Sequence, residues 1–247
     1  MRPLTTGIST VRALAKRVPG VQPLAGLLRM ATDSALREER RLVRDRADDL
    51  FQQGGRSAID RYPDLFAALR DQLHDHPAPH ILSFGCSTGE ELQTLRHYLP
   101  KARLSGIDIN RARLRRARRG LADPGVSLVA AHSIEAAGGG NFDAIVCLSV
   151  LHRRELVHDW PADPTPHLSF AQFERAVLDF DRHLATRGLL LLYHTVFRFL
   201  ETSVAPRYEP LFLVDPLSLE PSRRYDRNDR RVLEPREERF ALFRKTS

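Results

Sequence analysis

The stretch His80–Leu95 reads HILSFGCSTGEELQTL and joins two patterns of different period. The apolar or small residues 81–84 predict a short buried strand, and the leucines that follow recur at the spacing of one helix face. Gly85 and Gly89 lack a Cβ, so the backbone of the turn can approach a ligand closely, and the start of the helix favours a carboxylate or phosphate. The stretch therefore predicts a strand-to-helix turn with a ligand bound at it, or a turn whose glycines serve only a steric purpose.

Strand and helix patterns alternate along the chain on both sides of this turn. Ser169 and Gln172 predict the capped start of one helix. Such alternation is typical of an α/β fold, here a Rossmann-like, mainly parallel sheet with helices on both faces and ligands beyond the carboxyl ends of the strands. The predicted helices are 36–51, 63–73, 90–99, 111–119 and 169–184, and the predicted strands are 81–85, 102–109, 126–131, 142–150 and 189–196.

The two ends of the chain follow other patterns. Residues 1–32 contain no acidic residue and five basic ones, with apolar residues at helical spacing. We expect 1–56 to form a helical N-terminal arm or lid and 57–247 to form the main domain. A transit peptide or a membrane-surface helix is the alternative for residues 1–32. After residue 196, three extended pieces separated by turn residues predict antiparallel strands at one sheet edge.

Charge and composition exclude several classes of protein. The net charge is +7, but lysine occurs only at 16, 101 and 245, and an arginine bias of this kind also follows from a GC-rich genome. Six arginines fall between Arg111 and Arg119, where an apolar face beneath them favours a solvated helix over a polyanion site. Two cysteines are too few for a disulfide framework, and no run approaches the roughly 18 apolar residues of a membrane span. We therefore expect a cytoplasmic protein without a membrane span.

Three candidate ligand-binding positions follow successive predicted strands. They are the glycine turn at 85–89, Asp108, and the stretch CLSVLHR at 147–153. An acidic residue that ends the second strand can accept hydrogen bonds from both hydroxyls of a ribose, in a dinucleotide or in S-adenosylmethionine. The turn lacks the G-x-G-x-x-G pattern, and Glu90 and Glu91 would repel a pyrophosphate. These two details favour S-adenosylmethionine.

At this point the chain resembles the class I S-adenosylmethionine-dependent methyltransferases over roughly residues 57–200. The family's first motif corresponds to LSFGCSTGEE at 82–91, the second to GIDIN at 106–110, the fourth to FDAIVCLSVLH at 142–152, and the helix with the fifth strand to LDFDRHLATRGLLLLYHTVF at 178–197. The first and fourth motifs are similar to those of the chemotaxis-receptor glutamate methyltransferases. The chain departs from that subgroup in lacking a proline-tyrosine pair after Glu91 and in carrying the insert RRELVHDWPADPTPH.

The resemblance implies a site for S-adenosylmethionine. Gly85 and Gly89 would pass close to its methionine part, Asp108 would hold its ribose, and Glu90 or Glu91 would meet its amino group. The expected cofactor-binding residues are Gly85, Cys86, Ser87, Thr88, Gly89, Glu90, Asp108, Ile109, His132, Ser133, Ile134, Cys147 and Leu148.

Methyl transfer is an in-line displacement, so the protein mainly has to align the acceptor and exclude water, and only some acceptors need a general base. His152 and His194 follow the fourth and fifth strands and are the candidate catalytic residues, although a histidine there can instead cap a helix or bind backbone. The irregular spacing of the histidines and aspartates at 152–167 does not fit a metal site. The candidate substrate-binding residues are Trp160, Arg198, Phe199 and Arg207.

The predicted function is therefore S-adenosylmethionine-dependent transfer of a methyl group to an oxygen, nitrogen or carboxylate of a small, anionic acceptor. A protein carboxyl group or RNA is an alternative acceptor, and a non-catalytic S-adenosylmethionine-binding protein is an alternative from another class. The fourth motif has neither an Asn-Pro-Pro-Tyr sequence nor a Pro-Cys pair, which counts against a nucleic-acid partner. The sequence does not predict the oligomeric state.

Overall fold

The computed structural model describes residues 33–52, 54, 57–213, 223–233 and 240–247. Its strands are β1 (His80–Phe84), β2 (Arg103–Asp108), β3 (Val126–Ala130), β4 (Phe142–Leu148), β5 (Leu184–Tyr193), β6 (Tyr208–Leu213) and β7 (Phe240–Lys245). Within the described residues they form one seven-stranded sheet in the order β3-β2-β1-β4-β5-β7-β6. Strands β1 to β5 pair in parallel, whereas β7 pairs antiparallel with both β5 and β6. This confirms the predicted Rossmann-like, mainly parallel sheet with antiparallel C-terminal edge strands.

The helices begin where the sequence supplies caps. Asp33 and Asn110 accept backbone N–H bonds at two helix starts, Pro63 lies in the first turn of another, and Ser169 with Gln172 forms the predicted capping box. The described helices are α1 (Ser34–Asp45), α2 (Pro63–Gln72), α3 (Glu90–Tyr98), α4 (Arg111–Gly120), α5 (Arg154–His158) and α6 (Phe170–His183).

Apolar side chains of the strands alternate between two cores, one on each face of the sheet. Ile81 packs with residues of α2, α3 and α4, whereas its neighbour Leu82 packs with residues of α5 and α6. The same alternation runs along β4, where Ala144 and Ile145 belong to opposite cores. Helices therefore cover both faces, as predicted, and the ligand-binding edge lies at the carboxyl ends of the parallel strands.

Strand β5 differs from its predicted span. It begins at Leu184 directly after α6 and ends at Tyr193, and the next residue, His194, has a left-handed backbone with φ 57°. Of the three predicted C-terminal pieces, the first and third form β6 and β7, while residues 223–233 contain only an isolated bridge between Tyr225 and Arg231. The parts of these predictions that fall on 214–222 and 234–239 lie outside the described residues.

Helix α1 packs on α4 through polar contacts. Asn110 Nδ2 donates to the carbonyl oxygen of Ala35 at 3.1 Å, and the Arg113 guanidinium pairs with the Glu39 carboxylate. Arg113 is buried, so the arginine helix is not wholly the solvated face that the sequence predicts. The expectations for residues 1–32 lie outside the described residues, and the division into 1–56 and 57–247 stays a prediction. None of the described helices combines the length and apolarity that crossing a bilayer requires.

Candidate functional site

A cavity of about 790 Å³ opens where β1, β2, β4 and β5 end. Its volume lies in the range of roughly 300–1,000 Å³ that is typical of small-molecule and cofactor sites. Residues from the turn after β1, the end of β2 and the loops after β4 and β5 share this one space. The predicted site residues that line it are Gly85, Cys86, Ser87, Asp108, Ile109, His132, Leu148, His152 and His194.

The turn after β1 places backbone atoms that no side chain covers at the wall of the cavity. Gly85 has φ +79°, and a Cβ built on it would lie 2.4 Å from Val150 Cγ2. The N–H groups of Gly85 and Cys86 donate to the carbonyl oxygen of Ile107 at 2.8 and 3.0 Å, which ties the turn to β2. Ser87 also has a positive φ, and its buried hydroxyl has no hydrogen-bond partner among the described residues. That hydroxyl is therefore available to a bound ligand.

Asp108 organises the end of β2. Its Oδ2 accepts the N–H of Ser87 at 2.9 Å and its Oδ1 accepts the N–H of Asn110 at 2.7 Å. Burial raises the pKa of the carboxyl group above its ordinary value, although both backbone bonds oppose the rise. Each carboxylate oxygen keeps a second lone pair, so Asp108 can still accept hydrogen bonds from ligand hydroxyls in the cavity.

Glu91, rather than Glu90, reaches the cavity. Ser83 Oγ donates to Glu91 Oε1 at 2.7 Å, and burial raises the pKa of Glu91 to about 8. A cation next to this carboxyl group would favour its ionised form. Glu90 instead accepts a hydrogen bond from the Thr88 hydroxyl at 2.7 Å, outside the cavity lining.

We expect the raised pKa of Glu91 to appear in the pH dependence of stability. The folded pKa of about 8 exceeds the ordinary value of 4.5, so the contribution of Glu91 to stability is fully present below about pH 4.5 and is lost as the pH rises through 8. Relative to Glu91→Gln, the wild-type free energy of unfolding should fall by roughly 1–3 kcal/mol between pH 5 and pH 8, because each pKa unit is worth about 1.4 kcal/mol before screening by cavity water. Urea denaturation measures this difference. Glu90→Gln is the control, and an equal change in both variants would contradict the assignment to Glu91.

Two histidines stack at the other end of the cavity. The ring centroids of His152 and His194 are 4.2 Å apart, and neither ring nitrogen of His152 has a hydrogen-bond partner among the described residues. Burial, reinforced by the neighbouring histidine and by Arg61, lowers the pKa of His152 to about 4; burial with Arg61 and Arg224 does the same for His194. Both rings are therefore neutral near pH 7, and both nitrogens of the His152 ring are buried without a partner among the described residues.

Two hydroxyl groups hold the His194 ring in place, and the sequence did not predict either of them. Ser149 Oγ lies 2.9 Å from His194 Nδ1 and 3.0 Å from the hydroxyl oxygen of Tyr62. The edge of the Tyr62 ring meets Tyr193 with a centroid distance of 5.1 Å. Tyr62 immediately precedes the proline that starts α2, but nothing in the local sequence links that position to the loop after β4. The contact restrains the orientation of the His194 ring.

Several predicted cofactor residues do not line this cavity. Ile134 is fully buried and donates its N–H to Asp179 at 2.6 Å, and Ser133 lines a second cavity of about 310 Å³ together with His132. Cys147 is fully buried in the core beside α6, since alternate residues of β4 face opposite sides of the sheet. The predicted cofactor residues outside the main cavity are Thr88, Gly89, Glu90, Ser133, Ile134 and Cys147.

The predicted acceptor residues also lie away from the cavity. Phe199 is 2% exposed and packs in the core, and Arg207 pairs with Asp181 at 2.7 Å. Arg198 pairs with Glu201 at 3.5 Å. The Trp160 ring lies beneath the guanidinium carbons of Arg223 and Arg231, at 5.4 and 5.1 Å from its centroid. None of these four residues lines the cavity, because the two arginines pair with acidic residues of the fold, Phe199 packs in the core and Trp160 stacks under arginines, and their role in binding an acceptor stays a prediction. The side chains found there instead are Arg61, Tyr62, Arg154 and His158.

Comparison with known families identifies the part of the chain that forms this site. Residues 82–190 match the family model described as a methyltransferase domain. The match begins inside β1 and ends inside β5, so it spans the turn at 85–89, Asp108 and His152. No curated protein sequence matches the chain.

Several solved structures are similar over part of the chain. CalS10, an amino pentose methyltransferase from Micromonospora echinaspora, is 27% identical over 65% of this chain and 59% of its own, with a TM-score of 0.42. The N-methyltransferase NodS from Bradyrhizobium japonicum WM9 is 19% identical over 76% of this chain and all of its own, with a TM-score of 0.48. This chain spans only half the length of the plantazolicin methyltransferase BpumL, at 14% identity, 62% coverage of this chain and a TM-score of 0.39.

Proposed function

Because residues 82–190 match the family model described as a methyltransferase domain, we propose that the protein is a class I S-adenosylmethionine-dependent methyltransferase that transfers a methyl group to an oxygen, nitrogen or carboxylate of a small acceptor. The observation that supports this proposal most directly is the continuity of the cavity. One space of about 790 Å³ connects Asp108 and the glycine turn with the His152–His194 pair. A cofactor at one end and an acceptor at the other would therefore share a single cavity.

The residues at the β1–β2 end fit S-adenosylmethionine. Asp108 has lone pairs left for ribose hydroxyls, the Ser87 hydroxyl lacks a partner among the described residues, and Gly85 leaves backbone without a side chain at the cavity wall. Glu91 would face a positive charge on the ligand, which would lower its raised pKa towards ordinary values. When bound, S-adenosylmethionine supplies a methyl group already activated by a positively charged sulfur.

His152 is the residue that we assign to the acceptor. A hydroxyl or amine of the acceptor that lies against this ring would donate a hydrogen bond to a ring nitrogen. The lone pair of the acceptor's oxygen or nitrogen would then point away from the histidine. Because the pKa of His152 is lowered to about 4, the ring stays neutral near pH 7 and keeps a nitrogen lone pair for this hydrogen bond. His194 packs against it and is held by Ser149 and Tyr62, so the pair keeps a fixed orientation.

Binding and transfer can be tested separately. Calorimetry should show that the purified protein binds S-adenosylmethionine and S-adenosylhomocysteine but not NAD, because the turn lacks the G-x-G-x-x-G pattern that holds a pyrophosphate. Incubation with methyl-labelled cofactor and fractionated host extract should then label a small molecule. Labelled protein or RNA would replace the proposed acceptor class, and binding without any transfer would favour a non-catalytic role. Absence of cofactor binding would contradict the proposal as a whole.

A further inference from the structure

Three polar side chains from distant parts of the chain meet at the acceptor end of the cavity. Ser149 and His194 directly follow β4 and β5, and both have a left-handed backbone, with φ of 58° and 57°. Tyr62 precedes α2, and its hydroxyl oxygen lies 3.0 Å from Ser149 Oγ, which in turn lies 2.9 Å from His194 Nδ1. All three residues line the cavity, whereas Tyr62 and His194 lie outside the residues 82–190 that match the family model. The Tyr62–Ser149–His194 network therefore ends at an imidazole in the cavity wall.

The direction of these hydrogen bonds follows from the number of protons and partners in the network. Burial together with Arg61 and Arg224 lowers the pKa of His194 to about 4, so near pH 7 one ring nitrogen carries a proton and the other accepts one. If the Tyr62 hydroxyl donates to Ser149 and the Ser149 hydroxyl donates to His194 Nδ1, every hydroxyl proton has an acceptor. In the reverse direction the proton of Tyr62 would have no acceptor among the described residues, since its hydroxyl contacts only Ser149 there. The first direction therefore satisfies the network better.

We propose that Tyr62 and Ser149 keep the proton of the His194 ring on Nε2, so that His194 donates a hydrogen bond to the methyl acceptor. This inference rests on the proposed function, because it concerns the acceptor end of the same cavity. Nδ1 is taken by Ser149, and Nε2 is the ring nitrogen left for a ligand. His152, whose ring centroid is 4.2 Å away, would accept a hydrogen bond from the same molecule. The acceptor would therefore carry an oxygen that accepts a hydrogen bond, such as a carbonyl, close to the hydroxyl or amine that receives the methyl group.

Nuclear magnetic resonance tests the position of the proton without cofactor or acceptor. In protein labelled with heavy nitrogen at histidine, long-range proton–nitrogen correlation shows which ring nitrogen carries the proton, and His194→Gln identifies the signals of His194. At pH 7 the wild-type ring should carry its proton on Nε2 in about tenfold excess over Nδ1, which is the scale of one hydrogen bond. Tyr62→Phe removes one oxygen atom and should lower that excess several-fold, because the Ser149 hydroxyl can then accept from Nδ1 as well as donate to it. Ser149→Ala should have the same effect.

Tyr98→Phe is the matched control for Tyr62→Phe. The Tyr98 hydroxyl donates to Asp60 at 3.0 Å, two positions before Tyr62, but Tyr98 lies outside the cavity lining, so its loss should leave the proton of His194 on Nε2. Kinetics with the acceptor found by labelling gives a second readout. Tyr62→Phe should raise KM for the acceptor several-fold and leave kcat within about twofold, since the hydrogen bond from His194 holds the acceptor before and during transfer. Tyr98→Phe should change neither constant.

The two readouts separate this inference from the proposed function. A wild-type His194 with its proton on Nδ1 or divided equally between the two nitrogens would overturn the inference, as would an unchanged excess in folded Tyr62→Phe. An unchanged KM in that variant would show that His194 does not contact the acceptor, which also overturns it. If the protein neither binds S-adenosylhomocysteine nor transfers a methyl group, the proposed function fails, whereas the resonance measurement on the free protein still decides where the network places the proton.

Discussion

Replacing His152 with alanine should lower the turnover of the natural acceptor about a hundredfold, the lower end of the range for a positioned proton acceptor. The ring is 9% exposed, lines the cavity and has both nitrogens unpaired among the described residues, so its loss removes the only contact that we assign to the acceptor's proton. Steady-state kinetics with the acceptor found by labelling measures the effect. Affinity for S-adenosylhomocysteine should change little, because Asp108 and the glycine turn lie at the other end.

The pH profile provides a second measurement on the same residue. The pKa of His152 is lowered to about 4 by burial and by the nearby His194, Arg61 and His158. Turnover at saturating cofactor should therefore show no acid limb near pH 6.5, where an unperturbed imidazole titrates. His97→Ala, which removes an exposed histidine of α3, is the control. Wild-type turnover in a folded His152→Ala variant would remove His152 from the mechanism.

Asp108→Ala should weaken binding of S-adenosylhomocysteine by about 10- to 150-fold, which corresponds to roughly 1.5–3 kcal/mol for the loss of charge-assisted hydrogen bonds. Two effects combine. The ligand loses its carboxylate partner, and the N–H groups of Ser87 and Asn110 lose theirs, which loosens the turn that forms the cavity wall. Calorimetry gives the affinity, and thermal unfolding shows whether the variant is folded.

Asp123→Ala is a matched control for Asp108→Ala. Asp123 also accepts the N–H of the residue two positions later, Gly125, at 2.8 Å, but it lies outside the cavity lining. Its replacement should cost some stability and leave the affinity for S-adenosylhomocysteine within about twofold, since no ligand contact is lost. Equal losses in the two variants would show that the Asp108 effect is structural, and unchanged affinity in Asp108→Ala would remove Asp108 from the cofactor site.

Local sequence patterns were sufficient to predict the sheet and to bring the turn at 85–89 and Asp108 to one edge of it. A strand, a glycine turn and a helix follow one another within 80–98, and Asp108 ends the next strand, so chain order alone brings them to one edge. Local patterns did not distinguish Glu90 from Glu91. The direction of each side chain depends on where the helix starts relative to β1, and Ser83 on that strand holds Glu91.

The acceptor end could not be predicted in the same way, because its contacts join distant parts of the chain. Tyr62 and Ser149 are 87 positions apart in the sequence, and no local pattern of residues predicts their contact. The arginines and aromatic residues after β5 suggested a pocket for the acceptor. In the structure, Arg207 forms an ion pair with Asp181 of α6, and Phe199 packs on Phe243 of β7. Arginine beside an aromatic residue gives the same local pattern whether it faces a ligand or a partner within the fold.

The close approach of Gly85 to Val150 has a consequence for anyone who wishes to redesign the acceptor range of this protein. The loop that carries His152 rests directly on the turn at the cofactor end, with room at Gly85 for a hydrogen atom and nothing larger. A bulkier residue at either position would move both walls at once. Enlarging the acceptor end is therefore better attempted from Arg61 and the α5 side, where a change of side chain leaves the shared wall between Gly85 and Val150 intact.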